Sequence, residues 1–354
     1  MLKANVNANV PSFALNRRQV LMAGAIMGLA GCSREIATAA SDDGETHITY
    51  EQFDPAFETI VDQSDTGRLL GTGYQWAEGP AWDAKRQCVY FTDVPGNRAY
   101  RWSEADGLEI FQDPSGIAAE LKPEGGDLGA NGLLIANSGE LLICNHGTRT
   151  LQAMDVETNE RRDLTAKFEG KRYNSPNDVI ETTDGTVYFT DPPYGLEGLN
   201  DSPAKEMDVN GVYRLSPSGE VTRIMDDMTF PNGVVLSPDQ STLYIAQSDP
   251  DAPLIRTYDL AGDKGAQLWF DVSPYMDGHE GLPDGMAVSK AGHIFLAGPG
   301  GVLVIDSSGK CLGRIGTGRA TANCALGEDG RTLFITAQDR FVSVRIAVDG
   351  LGRF

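Results

Sequence analysis

Four side chains carry the chemistry this sequence could do: Glu78 in "WAEGPAW", Asn177 in "SPNDV", Asn232 in "FPNGVV" and Asp284 in "LPDGMAV". Two carboxylates and two amides, with no His or Cys among them, make an all-oxygen donor set suited to a hard divalent cation completed by water. The carboxylates neutralise the ion, and the amides add coordination without crowding four anions. Calcium is the first expectation, with magnesium or zinc as the alternatives. Taken singly, Asn-Gly, Asp-Gly and Pro-Asn-Gly are ordinary turn signals. As a set they are harder to explain as turns, because Glu78 is a poor turn former and Asn177-Asp178 lacks glycine.

Such a set needs a scaffold that brings distant segments to one point, and the sequence repeats. From about residue 67 a unit recurs: a polar residue followed by Gly, Pro or Asp, an apolar run, a Gly-containing turn and a second β-rich run. Its landmarks Gly79, Asn131, Asn177, Asn232, Asp284 and Asn323 lie 39 to 55 residues apart. Periods of this size, with about four strands per unit and no helical periodicity, predict an all-β fold, a six-bladed β-propeller with a central metal-binding channel. Asp184-Gly185 and Asp329-Gly330 supply the positive φ of tight hairpins. The stretch Phe57 to Gly73 is expected to give a strand that closes the ring on the last blade, since closure removes sheet edges.

In a blade the first strand follows the channel and the second returns antiparallel. Residues before strand one and after strand two therefore share a face, and Glu78, Asn177, Asn232 and Asp284 become a ring of oxygens at that mouth. Asp93, Asn97, Asp191 and Asp249 lie near strand-two ends and read as structural caps outside the metal shell.

"WAEGPAW", "SPNDV", "FPNGVVLSPD" and "LPDGMAV" together resemble the SMP-30/gluconolactonase/regucalcin-like family of six-bladed propellers over about residues 67 to 350, and "VYFTDPPYGL" and "AGPGGVLVID" are similar to its exported bacterial gluconolactonases. The resemblance implies metal binding by Glu78, Asn232 and Asp284, with Asn177 touching the metal, its water or the substrate. It also implies opening of a sugar lactone, D-glucono-1,5-lactone first. A divalent ion can polarise the lactone carbonyl and acidify a bound water. Calcium acidifies water weakly, so a carboxylate base is expected, and Asp284 is the candidate. Arg172, Tyr194, His146 and His279 are the expected substrate contacts, because a polyol needs directional donors and a ring face. Against these stand plain alternatives: loop Arg and His residues, and a Tyr packed on prolines. Related hydrolysis of other lactones or organophosphorus esters, and a non-catalytic binding propeller, are the competing functions. A serine hydrolase or zincin lacks its motif: there is no Gly-x-Ser-x-Gly, and His279-Glu280 has no second His.

Arg17-Arg18, the apolar run Val20 to Ala30 and the ending Leu29-Ala30-Gly31-Cys32 describe an export signal over residues 1–31. The same ending resembles a lipoprotein processing site, which would lipidate Cys32 and tether a periplasmic protein to the membrane; cleavage near Ala40 is the alternative. Residues 32–66 read as a polar tether and lead-in, and 67–354 as the propeller. The chain carries 50 Asp and Glu against 29 Lys and Arg, a formal charge of −21, and loss of the signal removes three more cations. Such a surface repels phosphate backbones, which excludes nucleic acid as a partner. Cys88, Cys144, Cys311 and Cys324 match no zinc spacing. Cys88 and Cys144 read as buried thiols, and a Cys311–Cys324 disulfide is compatible with export.

Overall fold

The computed structural model describes residues 47–122, 125–262 and 265–350. The export signal, Cys32 and the acidic run at 41–45 lie outside the described residues. Six antiparallel sheets follow one another along the chain. Blade one is built from Ala77–Asp83, Cys88–Asp93, Arg98–Ser103 and Gly107–Gln112, and blade two from Ala130–Ile135, Leu141–Asn145, Thr150–Met154 and Arg161–Thr165. Blade three comprises Val179–Glu181, Val187–Asp191, Asn210–Leu215 and Val221–Met228; blade four comprises Pro231–Leu236, Thr242–Gln247, Leu254–Asp259 and Ala266–Asp271. Met286–Val288, Ile294–Gly298, Gly301–Ile305 and Cys311–Gly316 form blade five, and Asn323–Gly327, Thr332–Ala337 and Arg340–Arg345 form the inner three strands of blade six. The first strand of each blade touches the first strand of the next, and the sixth touches the first, so the ring is closed.

The closing strand is Arg68–Thr72, which pairs antiparallel with Arg340–Arg345 as the outer strand of blade six. The lead-in is more than a tether. Thr49–Gln52 adds a fifth strand to blade five against Cys311–Gly316, and the short 3-10 turn Pro55–Thr59 inserts Phe57, fully buried, with Ile60 and Val61 between blades five and six. The sequence hid this because the anchoring apolar residues, Phe57, Ile60 and Val61 with Ile48 and Tyr50 against them, are scattered through an acidic stretch.

Hydrophobic packing lies between neighbouring blades rather than on the axis. Each adjacent pair shares one apolar layer; the seam between the last and first blades stacks Phe91 on Phe341 with ring centroids 4.2 Å apart. Strands buried on both faces explain the near-continuous apolar runs such as "LFITA" and "IFLAG". The axis itself is left to polar side chains. There the inner strands crowd: a Cβ on Gly132 would lie 2.4 Å from the Asn177 carbonyl oxygen, and one on Gly233 2.1 Å from that of Asp284. These glycines therefore permit close approach of neighbouring blades and make no turn, so the ordinary turn reading of Asn-Gly does not apply at these two positions.

Candidate active site at the channel mouth

The loops that carry the polar residues into the channel are braced by the strands beside them. Asp191 ends the second strand of blade three, and its carboxylate accepts the Asn174 and Ser175 backbone N–H groups, each at 2.8 Å. Asn174 Nδ2 donates in turn to the Asp191 and Val209 carbonyls, both at 3.0 Å. The approach to Asn177 is thus fixed from both ends of its hairpin. Asp93 does the same in blade one, accepting from Gln75 at 3.1 Å and Trp76 at 3.0 Å just before Glu78. Asn97 accepts from Gly116 N–H, and Asp249 from Thr229 Oγ1 and Asp251 N–H. All four are caps.

Glu78, Asn177 and Asn232 start or precede the first strands of their blades and are buried; Asp284 is half-buried, with Oδ1 shielded from solvent and without a hydrogen-bond partner. Glu78 Oε2 accepts the Gly79 N–H at 2.7 Å and the Asn323 amide at 3.2 Å. Asn232 Nδ2 donates to Ser248 Oγ at 2.8 Å and its side chain also faces Asp284 and Tyr194. The Asn177 carbonyl accepts the Gly132 N–H at 2.8 Å, tying blade three to blade two beside the ring. Asp178 is a member the sequence reading left out. Its carboxylate takes the position that glycine holds in blades two, four and five, and bonds Val179 N–H and Val234 N–H, both at 2.9 Å. The missing glycine after Asn177 was the signal for it.

Burial pushes all three carboxyls of this group up. Asp178 rises to about 6, with burial outweighing its two backbone hydrogen bonds. Glu78 is raised by burial and then by Asp178, against the hydrogen bonds from Gly79, Asn323 and Trp76. Asp284 is raised well above the ordinary range, first by burial and then by the Glu78 and Asp178 charges. No cationic side chain enters any of these balances. Three clustered carboxyls that repel one another, two of them buried, and an orphaned carboxylate oxygen are what a bound cation would relieve. Among the described residues no three His, Cys, Asp or Glu side chains form a metal cluster. The donors that fit are therefore the mixed set of Glu78 and Asp284 with the amides Asn177 and Asn232, an all-oxygen composition that suits a hard divalent ion.

The expected substrate contacts divide. Tyr194 stacks on Phe230, centroids 5.7 Å apart, and its hydroxyl is buried without a hydrogen bond in the field of Asp284. Arg172 pairs with Glu206 at 2.5 Å on a two-stranded rim hairpin, Lys167–Phe168 with Lys171–Arg172. His279 faces Arg314 Nη1 at 2.5 Å, and Arg314 also holds Glu51 of the added strand. His146 is 1% exposed, so it is covered and not an open contact. Cys88, Cys144, Cys311 and Cys324 are all buried free thiols, so the 311–324 disulfide is not formed; Cys324 Sγ instead faces the Phe295 carbonyl across the seam between blades. A surface groove of about 710 Å³ lies elsewhere, lined by Phe168, Val221 and Arg223 among others, none on an inner strand. It holds no such convergence of carboxyls, and the channel mouth is the better candidate.

The fold and the polar ring define a six-bladed propeller with an acidic channel mouth. The SMP-30/Gluconolactonase/LRE-like region matches residues 76–339, and the chain belongs to that family. It is 36% identical over 352 residues to a gluconolactonase of Zymomonas mobilis, covering 95% of this chain and 99% of that one. A pentonolactonase of Haloferax volcanii is 26% identical over 76% of this chain and 84% of its own. Among solved structures, a gluconolactonase of Xanthomonas campestris superposes with a TM-score of 0.74 at 27% identity, covering 88% of this chain and 99% of that one.

Proposed function

We propose that this protein is a lactone hydrolase that opens D-glucono-1,5-lactone to gluconate and depends on a divalent cation, calcium first. The observation that carries the reading is the cluster of three carboxyls, Glu78, Asp178 and Asp284, without a cationic partner and with the Asn232 amide beside Asp284. The likeness to lactonases along nearly the whole chain supports the substrate class.

Glu78, Asp284, Asn177 and Asn232 would hold the cation, which when bound would polarise the lactone carbonyl and make water a stronger acid. Asp284 is the base: beside the cation its carboxyl is ionised, and its Oδ1, which makes no hydrogen bond, is placed to accept a proton. It takes a proton from water as the water oxygen bonds to the carbonyl carbon. When the ring C–O bond breaks, the same proton passes to the leaving ring oxygen. The Tyr194–Phe230 stack offers an apolar face for the sugar ring. The N-terminal signal supports export to the periplasm, with Cys32 as a lipid anchor. A pH-stat panel of gluconolactone, an aryl ester and a phosphotriester tests the substrate: acid release confined to the lactone is expected, and turnover of the phosphotriester alone would replace this reading with the competing hydrolase.

A further inference from the structure

We propose that Asn131 is a substrate-binding residue of the mouth, its side-chain carbonyl accepting a hydroxyl of the polyhydroxylated lactone, and that His146 is the positioning residue that turns it that way. The proposal rests on the lactonase reading above. Asn131 opens the inner strand of blade two in phase with Glu78, Asn177, Asn232 and Asp284, yet the cation set does not use it.

The hydrogen bonds fix its orientation. His146 Nε2 lies 3.2 Å from Asn131 Nδ2, and its Nδ1 is buried without a hydrogen bond, 3.8 Å from Asp127 Oδ2. The Asp127 carboxylate on the Nδ1 side favours the imidazole proton there, which leaves Nε2 an acceptor. Nε2 can then pair only with the amide N–H of Asn131, so Oδ1 must point away from the ring. Burial favours the neutral imidazole and lowers the His146 pKa, which keeps Nε2 free to accept.

His146 cannot swing out to take the substrate itself. A Cβ on Gly195 would lie 2.8 Å from His146 Cγ, so the ring is walled in from the blade-three side. Lys122 Nζ locks that wall by donating to the His146 carbonyl at 3.0 Å and the Gly195 carbonyl at 2.9 Å. Blade four repeats the arrangement. There Asn232 Nδ2 donates to Ser248 Oγ, and Ser248, like His146, directly follows its blade's second strand. Two ring amides are therefore held by the same device, one beside the cation set and one free for a hydroxyl.

The test uses the full chain with gluconolactone and the unsubstituted δ-valerolactone. Asn131→Ala should raise KM for gluconolactone about tenfold with kcat nearly unchanged, the cost of one unmade hydrogen bond, and leave δ-valerolactone kinetics alone. His146→Ala should match it, the double variant should be no worse than either single, and His146→Gln, which still offers an acceptor, should recover most of the loss. Imidazole 15N NMR of the intact protein, assigned with His146→Gln, should find His146 neutral with its proton on Nδ1, a readout that needs no activity and survives if His146→Ala misfolds. An Nε2–H tautomer, equal losses on both lactones, or multiplying effects would overturn the proposal. Failure of the wild type to open either lactone refutes the lactonase reading and this role with it; wild-type turnover with an unchanged preference in Asn131→Ala refutes this role alone.

Discussion

Replacing Asp284 with Asn should move activity and stability in opposite directions. The amide keeps the shape, but it cannot take a proton from water. Loss of a positioned general base costs about 10²- to 10⁴-fold in rate, or about 2.7–5.4 kcal/mol of barrier. Stability follows from linkage. A carboxyl whose folded pKa lies above its unfolded value holds its proton in the folded state while the unfolded chain has lost it. Its stability cost is therefore absent below the unfolded pKa and grows as pH rises. At pH 8 without cation, Asp284 bears that cost, imposed by burial and by the Glu78 and Asp178 charges. Asp284→Asn removes it, so under these conditions the variant should be the more stable protein. Scanning calorimetry in chelator at pH 8 should find the variant melting several degrees higher, while the same protein loses kcat on gluconolactone. Near-normal kcat, or a lower melting temperature in chelator, would refute the assignment of Asp284 as both base and strained carboxyl.

Phe57 fills the seam between blades five and six with no solvent exposure, so Phe57→Ala should cost about 3–5 kcal/mol, and deletion of residues 51–73, which also removes the closing strand, should lower the melting temperature further still; an unchanged melting curve for either contradicts the closure described. Glu78, Asp178 and Asp284 hold their protons above the ordinary carboxyl range, Asp178 to about 6. A cation must displace those protons, so calcium affinity should climb between about pH 5 and 8 with proton release on binding. Titration calorimetry in buffers of different ionisation enthalpy measures both, and a pH-independent affinity with no proton release counts against the site.

The architecture was legible because six copies of one unit, each landmark at the start of an inner strand, impose a period that no other fold needs. The landmark residues were legible for a related reason: a narrow axis demands glycine where blades touch, and that requirement makes Gly132 and Gly233 stand out beside their polar neighbours. What escaped were contacts made across the repeat. Asp178 uses a carboxylate where other blades use glycine, a break in the repeat that marked the position, but its bond to Val234 N–H crosses to the next blade and no spacing shows it. The Arg314 bonds to Glu51 and His279 join segments over 200 residues apart in part, through a strand too short and too acidic to announce itself. His146 follows a strand end, which points to the mouth, but the wall made by Gly195 and Lys122 comes from blade three and from the loop before blade two. Cys311 and Cys324 are close in sequence, yet they sit on different blades, and spacing carries no information about that seam.

The central claim is that oxygens from four blades hold a cation that the hydrolysis requires. Calcium titration of chelator-treated protein by calorimetry, with gluconolactone opening followed by pH-stat in the same samples, tests it most directly. The account predicts one site per chain, activity that disappears with chelation and returns in proportion to occupancy, and loss of that site in Glu78→Gln. Full activity in chelator, or calcium binding that Glu78→Gln leaves unchanged, would contradict it.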